Sequence, residues 1–553
     1  MSPMRSTFTA QPNSAMAASH PGRVAFVGAG PGDPGLLTVR AAQLLAEADV
    51  VIIDQAGREE LVASHARPDV VVIDAGHGEH GHPLAHASRA KLLVKAAKVA
   101  GAVNGNGNGL VVRLMDGDPS MFNGLSEEAL ACRKAGIRFE VVPGISAVSA
   151  VPAYAGVPLT SAASPSLHVI SGGSKVDWTR STADNVTVVV FGTPERLSKA
   201  LEDLLAAGRD RDTPVALTER GTTTTQRTHT TTLGQVGALM TSAKVEFPSL
   251  AVVGSTVELR EQLSWFETKP LFGWNILVPR TKDQAGSMIA RLASYGATSD
   301  VVPTISVEPP RTPQQMERAI KGLVTGRYEW IGFTSVNAVR AVREKFEEFG
   351  LDTRAFAGLR IAAVGGATAG ALCEWGLKPD LVPYGEQSAG GLLAEWPPFD
   401  DMLDPINRVF LPRADIATET LVAGLQDMGW EVDDVTAYRT VRAAPPPASV
   451  REAIKGGKFD AVVFTSSSTV RNLVGIAGKP HPSTVVACIG PATAKVAEEH
   501  GLRVDVLAPE ASAASLIDAL AEYGMGLAVA AAEIGESVVR PSARRSSTRR
   551  RAR

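Results

Sequence analysis

Short apolar runs alternate with amphipathic segments along this chain from residue 23 onward. Runs such as Val24–Val27, Val50–Ile53 and Leu110–Leu114 are rich in valine, isoleucine and leucine. Segments with the apolar spacing of helices, such as 36–48 and 88–100, lie between the runs. Parallel strands need a long crossover connection, usually a helix. The alternation therefore predicts an α/β fold with largely parallel sheets.

The length of the chain requires more than one hydrophobic core. At 553 residues it exceeds the size at which single cores stop growing, about 250–300 residues. Residues 1–21 are polar and small, without the apolar centre of a signal peptide, and are predicted to be a disordered leader of a cytoplasmic protein. The longest apolar runs are far shorter than the roughly 20 residues of a membrane span, so no membrane partner is expected.

Composition narrows the class of function. The net charge of −3 and the 20% of charged residues give no sign of a specific nucleic-acid partner. Cys132, Cys373 and Cys488 lack the spacing of a disulfide or zinc framework, so each is expected to be a buried apolar side chain and no metal site is predicted. The stretch 526–553 ends in clustered arginines and is predicted to be a solvated, disordered tail, with weak polyanion binding as the alternative.

The second half of the chain repeats three short patterns. Phe333-Thr334-Ser335 recurs as Phe464-Thr465-Ser466, Ala363–Ala369 recurs as Cys488–Ala494, and Leu277–Arg280 recurs as Phe410–Arg413. Such an internal repeat predicts two similar α/β lobes, and the cleft between them is the expected binding site.

A glycine-rich loop follows the first apolar run, where residues 28–35 read GAGPGDPG. The loop is similar to a dinucleotide-binding fingerprint, with Asp54 near the position of a ribose-binding acid. However, Asp33 stands where the third glycine belongs, and its carboxylate would repel pyrophosphate. Pro31 also removes an N–H that pyrophosphate would use. An NAD-dependent oxidoreductase is therefore kept only as an alternative.

Further segments follow this loop in a recognisable order. They are Val27–Thr38 (VGAGPGDPGLLT), Asp49–Asp54, Val112–Pro119, Phe139–Ala147, Tyr154–Thr160 and Pro214–Thr222. On these segments, residues 22–267 resemble the uroporphyrinogen III C-methyltransferases of the tetrapyrrole methylase family. The resemblance implies an α/β module over 22–270 that uses S-adenosylmethionine to methylate uroporphyrinogen III towards precorrin-2. It also implies a homodimer through this module.

The same resemblance implies the residues of a site. The cofactor-contacting positions would be Pro31, Asp116, Gly117, Asp118, Met121, Ser146, Ala147, Gly192 and Gly221. Small residues let the backbone approach an adenosyl group closely. Asp54 aligns with the family's proposed base, which would accept the proton displaced from the methylated carbon. The alternative for Asp54 is a helix or turn cap.

This chain departs from the family pattern at several positions. Ala75 replaces a lysine proposed to donate a proton, and His77 or His80 is a candidate substitute. Residues 122–128 lose the family's arginine, Asp116 replaces a glycine, and Gly192 replaces a methionine. Lost positive charge matters for a substrate with many carboxylates. A degenerate domain that no longer methylates therefore stays an alternative.

The second half of the chain carries another ordered set of segments. They are Ile276–Thr281, Trp330–Val339, Ala363–Ala369, Val435–Thr440, Phe459–Val470 and Ile489–Lys495. On these, residues 274–523 resemble uroporphyrinogen III synthase, which closes hydroxymethylbilane with inversion of its last ring and needs no cofactor. The resemblance implies a domain over 271–525 with two lobes, 274–306 plus 441–525 and 307–440, joined by a two-stranded linker.

Candidate substrate contacts in this half fall at strand ends. Tyr438 matches a tyrosine implicated in the family and would assist the leaving hydroxyl, with packing at a hinge as the alternative. Hydroxyl and amide side chains at strand-to-helix turns would receive carboxylates or cap helices; they are Thr334, Ser335, Asn337, Thr465, Ser466, Ser467 and Thr493. Arg280 and Arg413 would pair with substrate acids or form ordinary salt bridges. A noncatalytic two-lobed binding protein is a further alternative.

Overall fold

The computed structural model describes residues 21–54, 58–77, 84–103, 109–173, 175–245, 249–534 and 540–543. The chain divides into two compact units, Met1–Gly273 and Trp274–Arg553. This division lies three residues from the end of the predicted first domain. The predicted leader falls almost entirely outside the described residues.

The first unit contains two five-stranded sheets, ordered β3-β2-β4-β1-β5 and β6-β7-β10-β8-β9. Its strands are β1 (Arg23–Gly28), β2 (Val50–Ile53), β3 (Val71–Asp74), β4 (Leu110–Met115), β5 (Phe139–Val142), β6 (Ser166–Ser171), β7 (Val186–Gly192), β8 (Pro214–Glu219), β9 (Arg227–Thr232) and β10 (Ser249–Val253). Its helices are α1 (Val39–Glu47), α2 (Glu59–His65), α3 (His86–Val103), α4 (Leu125–Lys134), α5 (Ala147–Ala155), α6 (Pro194–Ala206), α7 (Val236–Ser242) and α8 (Arg260–Leu263).

The prediction of largely parallel sheets is correct for the first sheet and wrong for the second. Every pair in the first sheet is parallel. After Arg23, the strand β1 is apolar and buried because both of its faces are covered. In the second sheet only β6 and β7 pair in parallel. A short loop without a helix joins β8 to β9, so these strands can pair only antiparallel.

The second unit also contains two five-stranded sheets, ordered β12-β11-β18-β19-β20 and β13-β17-β16-β14-β15. Its strands are β11 (Asn275–Val278), β12 (Thr298–Val301), β13 (Ile305–Glu308), β14 (Trp330–Phe333), β15 (Arg360–Ala363), β16 (Arg408–Ala414), β17 (Glu431–Arg442), β18 (Ala461–Phe464), β19 (Val485–Cys488) and β20 (Val506–Leu507). Its helices are α9 (Lys282–Ser294), α10 (Pro313–Val324), α11 (Val336–Glu348), α12 (Gly366–Glu374), α13 (Ala389–Glu395), α14 (Thr420–Asp427), α15 (Ala448–Lys455), α16 (Ser467–Ala477), α17 (Pro491–Glu499) and α18 (Ala513–Glu533).

The strand β17 links the two sheets of this unit. Its first part pairs in parallel with β16, and its last four residues pair antiparallel with β13, from Arg439↔Glu308 to Arg442↔Ile305. One sheet is drawn from both ends of the unit and the other from its middle. The sheets thus form two lobes, and β13 with the end of β17 forms a two-stranded connection.

Two outlying predictions differ from the structure. Residues 526–534 are not disordered: α18 continues through an alanine-rich stretch, which favours helix, whereas 535–539 and 544–553 lie outside the described residues. By length and composition α18 is the one described helix apolar enough to cross a membrane. Leu516, Ile517 and Leu520 in its first half are buried, and 28% of its most apolar stretch is buried in all. Cys373 is exposed on α12, whereas Cys132 and Cys488 are buried as expected.

Candidate functional site

A cavity of 580 Å³ lies in the first unit, among the loops that follow β1, β4, β7 and β8. Its apolar wall includes Met121, Val148, Val151, Phe191 and Leu250. All nine positions expected to contact a cofactor line this one cavity: Pro31, Asp116, Gly117, Asp118, Met121, Ser146, Ala147, Gly192 and Gly221. The structure therefore brings together residues that are up to 190 positions apart in the sequence.

Backbone contacts between glycines hold the loops of the cavity together. Gly30 and Gly117 exchange hydrogen bonds between their backbone N and O atoms, at 3.3 and 2.9 Å. A Cβ atom added to Gly144 would lie 2.1 Å from the carbonyl oxygen of Gly117 and 2.7 Å from the Cα of Gly28. No side chain fits at such distances, so this arrangement requires glycine.

Asp118 fixes the loop after β4. Its Oδ2 accepts a hydrogen bond from the backbone N of Gly144 at 2.9 Å, and its Oδ1 accepts from the backbone N of Ser120 at 2.8 Å and from the Ser120 hydroxyl. Burial opposes the charge, but these hydrogen bonds outweigh it and lower the pKa of Asp118 below its usual range. The carboxylate therefore serves the loop's own structure.

The loop 220–226 between β8 and β9 forms another wall. Arg220 and Thr222 have positive φ angles of 49° and 66°, which are uncommon for residues other than glycine. Hydrogen bonds hold Thr222: its Oγ1 accepts from the backbone N of Asp33 at 3.1 Å, and its N donates to Gln226 Oε1 at 2.7 Å. Gln226 in turn donates to Glu267 Oε1 at 2.7 Å. The cavity wall is thus tied to the last segment of the unit.

Arg58 is a cavity-lining residue that the sequence did not reveal. Its Nε and Nη2 lie 2.9 and 2.8 Å from Asp116 Oδ1, and Nη2 donates to the carbonyl oxygen of Gly30 at 3.2 Å. Arg58 belongs to none of the motif segments. The signal was indirect: an acid at the glycine position 116 needs a cation nearby once it is partly buried.

Asp54 is not among the residues that line the cavity. Its Oδ2 accepts a hydrogen bond from Arg113 Nη2 at 2.8 Å, and Arg113 is fully buried with a second ion pair to Glu128 at 2.7 Å. Burial opposes the charge of Arg113, but Glu128 and Asp54 together raise its pKa. Asp54 is therefore part of an ion network with Arg113, and among the described residues its carboxylate caps no helix or turn.

Arg89 lies beside Ala75, the position at which the resemblance implies a lysine. Its Nε donates to the carbonyl oxygen of Ala75 at 3.1 Å and lies 3.5 Å from Asp54 Oδ1. This Oδ1 is buried and accepts no hydrogen bond from the part of the chain that the structure describes. The sequence suggested His77 or His80 as the substitute cation. His80 lies outside the described residues, and Arg89, from α3, supplies a positive charge at this place.

In the second unit the repeated turns adopt the same backbone conformation. Ser335 and Ser466 begin α11 and α16 with φ and ψ of −165° and 157°, and of −168° and 160°. Each hydroxyl caps its helix, accepting from the backbone N of Ala338 at 3.1 Å or of Thr469 at 3.3 Å. The capping alternative thus describes these two serines, and a role in binding carboxylates stays a prediction.

The other predicted hydroxyl and amide groups lie beside these caps. Ser467 donates to the carbonyl oxygen of Ala492 at 3.0 Å, and Thr493 is buried in the first turn of α17. Thr334, Asn337 and Thr465 are half-buried. All of the predicted hydroxyl and amide side chains therefore lie in the turns after β14, β18 and β19.

Tyr438 lies in β17 with its side chain buried. Its hydroxyl shares a hydrogen bond of 2.9 Å with the Ser335 hydroxyl, and its ring belongs to the apolar core of the lobe that contains β14. The packing alternative and the proposed acid are both compatible with this position, because only the hydroxyl end reaches the turn after β14.

The two repeated arginines have different surroundings. Arg413 lies inside β16, almost fully buried, where it forms a bidentate ion pair with Asp434 and donates to the carbonyl oxygen of Thr418 at 2.5 Å. Arg280 follows the end of β11 and is half-buried, which lowers the pKa of its guanidinium. No residue in the described ranges accepts a hydrogen bond from its side chain. Arg280 is therefore the better candidate for a substrate acid, and Arg413 has a structural partner.

Comparison with known proteins gives two family matches. Residues 23–237 match the family described as Tetrapyrrole (Corrin/Porphyrin) Methylases, and residues 286–518 match Uroporphyrinogen-III synthase HemD. The porphyrin biosynthesis protein HemD of Ruminiclostridium josui is 32% identical over 91% of this chain and 99% of that protein. Siroheme synthase 2 of Aeromonas hydrophila is 39% identical, but the chain spans about half of it, 51%.

Two solved structures are similar to one half each. The uroporphyrin III C-methyltransferase of Thermus thermophilus is 31% identical and covers 43% of this chain and 100% of that one, with a TM-score of 0.35. A mutant uroporphyrinogen III synthase of the same organism is 20% identical and covers 46% of this chain and 99% of that one, with a TM-score of 0.32.

Proposed function

The chain belongs to a family of tetrapyrrole-biosynthesis enzymes in which a methylase is fused to a uroporphyrinogen-III synthase, and from that premise we propose the reaction of each unit. The second unit closes hydroxymethylbilane to uroporphyrinogen III with inversion of its last ring. The first unit methylates that product with S-adenosylmethionine, towards precorrin-2. We also propose a cytoplasmic location and a homodimer through the first unit.

The observation that carries the methylase proposal is the single cavity formed by all nine expected positions. Its volume of 580 Å³ lies within the range of small-molecule sites, about 300–1,000 Å³. Glycine and small residues on one side and apolar side chains on the other suit a nucleoside that carries no phosphate. When bound, S-adenosylmethionine supplies an electrophilic methyl group.

The protein's own groups have two tasks in this reaction. The cavity loops hold the donor in one orientation, so that the pyrrole carbon lies in line with the methyl group. We propose that Asp54 accepts the displaced proton at Oδ1, the oxygen that accepts no hydrogen bond within the described residues. Arg113 and Arg89 hold that carboxylate in place from two sides.

In the second unit the substrate loses its hydroxyl group and then closes through its own electron-rich pyrrole, so the enzyme mainly folds and holds it. We propose that Arg280 pairs with a substrate carboxylate and that Tyr438 assists departure of the hydroxyl group as water. The Ser335 hydroxyl, 2.9 Å from Tyr438, orients the phenol. The helix N-termini after β14, β18 and β19 offer N–H groups to further carboxylates.

One observation favours a second candidate for the first unit, a domain that binds the donor without methylating. Ala75 carries no ionisable group where the family has a lysine, and Arg89 is already engaged with Ala75 and Asp54. This candidate keeps the synthase reaction and removes only the methyl transfer.

A coupled assay with the full chain tests both reactions. Hydroxymethylbilane alone should give uroporphyrinogen III above the spontaneous type I isomer, and S-adenosylmethionine should convert it to precorrin-2. Type III product without methylation would support the degenerate candidate. Type I product alone would contradict the synthase proposal and leave the noncatalytic alternative. A Tyr438→Phe variant should slow ring closure and leave methylation of added uroporphyrinogen III unchanged.

A further inference from the structure

Two charged groups on the cavity wall have atoms that form no hydrogen bond with any described residue. The ion pair between Arg58 and Asp116 engages the Nε and Nη2 atoms of the arginine and the Oδ1 atom of the aspartate. Across the described ranges, no residue hydrogen-bonds to Arg58 Nη1 or to Asp116 Oδ2. Both residues line the cavity. The wall therefore presents one free cationic donor beside one free anionic acceptor.

The neighbouring Asp118 shows that this is not a general property of the loop. Both oxygens of Asp118 accept hydrogen bonds, from Gly144 and from Ser120. The Asp116 carboxylate is fixed on one oxygen only. Arg58 is also anchored to the Gly30 carbonyl, so the pair is held by two loops before any ligand arrives. Such preorganisation reduces the cost of ordering the side chains on binding.

The ligand chemistry that matches a free acceptor beside a free donor is an α-amino acid, whose ammonium and carboxylate groups share one carbon. We propose that the Arg58–Asp116 pair binds the amino-acid end of the methyl donor. Asp116 Oδ2 accepts from the α-ammonium group, and Arg58 Nη1 donates to the α-carboxylate. This inference rests on the proposed methylase function and adds recognition by charged side chains to a cavity otherwise lined by backbone and apolar groups.

The main competing role for Asp116 is binding a ribose hydroxyl, which acids perform in dinucleotide sites. That role uses the carboxylate oxygen and leaves Arg58 Nη1 without a ligand atom. The two roles differ in an experimental consequence, because only the amino-acid role disappears when the amino-acid end of the ligand is removed.

Calorimetry of the full chain with two probes tests the proposal. S-adenosylhomocysteine carries the amino-acid end, and 5′-methylthioadenosine keeps the adenine and ribose but lacks it. Arg58→Gln and Asp116→Asn should each weaken S-adenosylhomocysteine binding by about 10- to 100-fold, as expected for a lost hydrogen bond to a charged group. Both should leave 5′-methylthioadenosine binding unchanged. Arg40→Gln, which removes an exposed arginine paired with Glu140, is the matched control.

Each other outcome overturns the proposal. If a variant weakens both probes equally, the pair holds the ribose or the loops and not the amino-acid end. If neither variant affects either probe, the pair does not contact the ligand. Retained binding of 5′-methylthioadenosine shows that the cavity of a variant is folded. If Arg58→Gln does not fold, the proposal is tested with Asp116→Asn only. Failure of the unmodified chain to bind either probe would instead contradict the proposed methylase function itself.

Discussion

The two units contrast in what their candidate sites are made of. In the first unit the cavity depends on backbone contacts among Gly28, Gly117 and Gly144 that leave no room for a Cβ atom. In the second, the predicted site consists of side chains at strand ends and strand-to-helix turns, and their contacts differ: Arg413 pairs with Asp434, whereas Arg280 pairs with no described residue. A site shaped by close backbone contacts can be predicted from the sequence, because it requires glycine at fixed positions. The role of a side chain also depends on which residues the fold places beside it.

The largest effect is expected from Gly144→Ala. The added methyl group would meet the Gly117 carbonyl oxygen at 2.1 Å, and overpacking against backbone should cost about 3 kcal/mol and remove S-adenosylhomocysteine binding. Ring closure should be unaffected. Gly237→Ala, where an added Cβ meets no atom within 4 Å, is the control. Normal binding of S-adenosylhomocysteine by the Gly144 variant would show that the cavity of the first unit does not depend on close backbone contacts.

Arg413→Met should act on stability. It leaves the Asp434 carboxylate without its partner, but this side chain is 37% exposed, so we expect a loss of about 2 kcal/mol, less than for a fully buried pair. The melting temperature of the second unit should fall by about 4–8 °C. An unchanged melting temperature with lost ring closure would instead assign Arg413 to the substrate.

Arg280→Met should act on catalysis. Because no described residue pairs with Arg280, stability should be kept or slightly raised when its half-buried charge is removed. We expect kcat/KM for ring closure to fall by about 10- to 100-fold, the value of a hydrogen bond to a charged group. The measurements are steady-state kinetics of ring closure and a melting curve for the variant and the unmodified chain. A drop in stability without a change in kcat/KM would contradict this assignment.

The smallest effect is a pH dependence confined to the first unit. The pKa of Asp118 is lowered in the folded state, so its contribution to stability is full above the unfolded pKa, about 3.9. The contribution is lost as pH falls through the lower folded pKa. Melting curves of the full chain in acid should show this loss, and Asp118→Asn should abolish it. A variant with the same acid dependence as the unmodified chain would assign the effect to other carboxylates.

The contrast also explains what the sequence could predict. The glycine loops, the family order of the segments and the repeat at Ser335 and Ser466 follow from residue types, so the α/β class and the cavity residues were accessible. Pairing partners were not: Arg58 belongs to no motif, and the networks around Asp54 and Arg413 join residues distant in sequence. The antiparallel pairing of β8 with β9 was missed because β9 is polar and the short loop 220–226 between the two strands carries no strong turn signal.

The segment after α8 sets a practical limit on dividing this enzyme. Glu267 accepts hydrogen bonds from Gln226 and from Arg260, and Phe266 packs edge-on against Tyr154, whose hydroxyl donates to Asp33 in the glycine-rich loop. A gene fragment ending at Leu263 would delete these supports of the loop 220–226. Phe272 in turn packs edge-on against Phe266, so a free-standing first half has to extend through Phe272. Loss of activity in a shorter fragment would report a damaged pocket and not dependence on the fused partner.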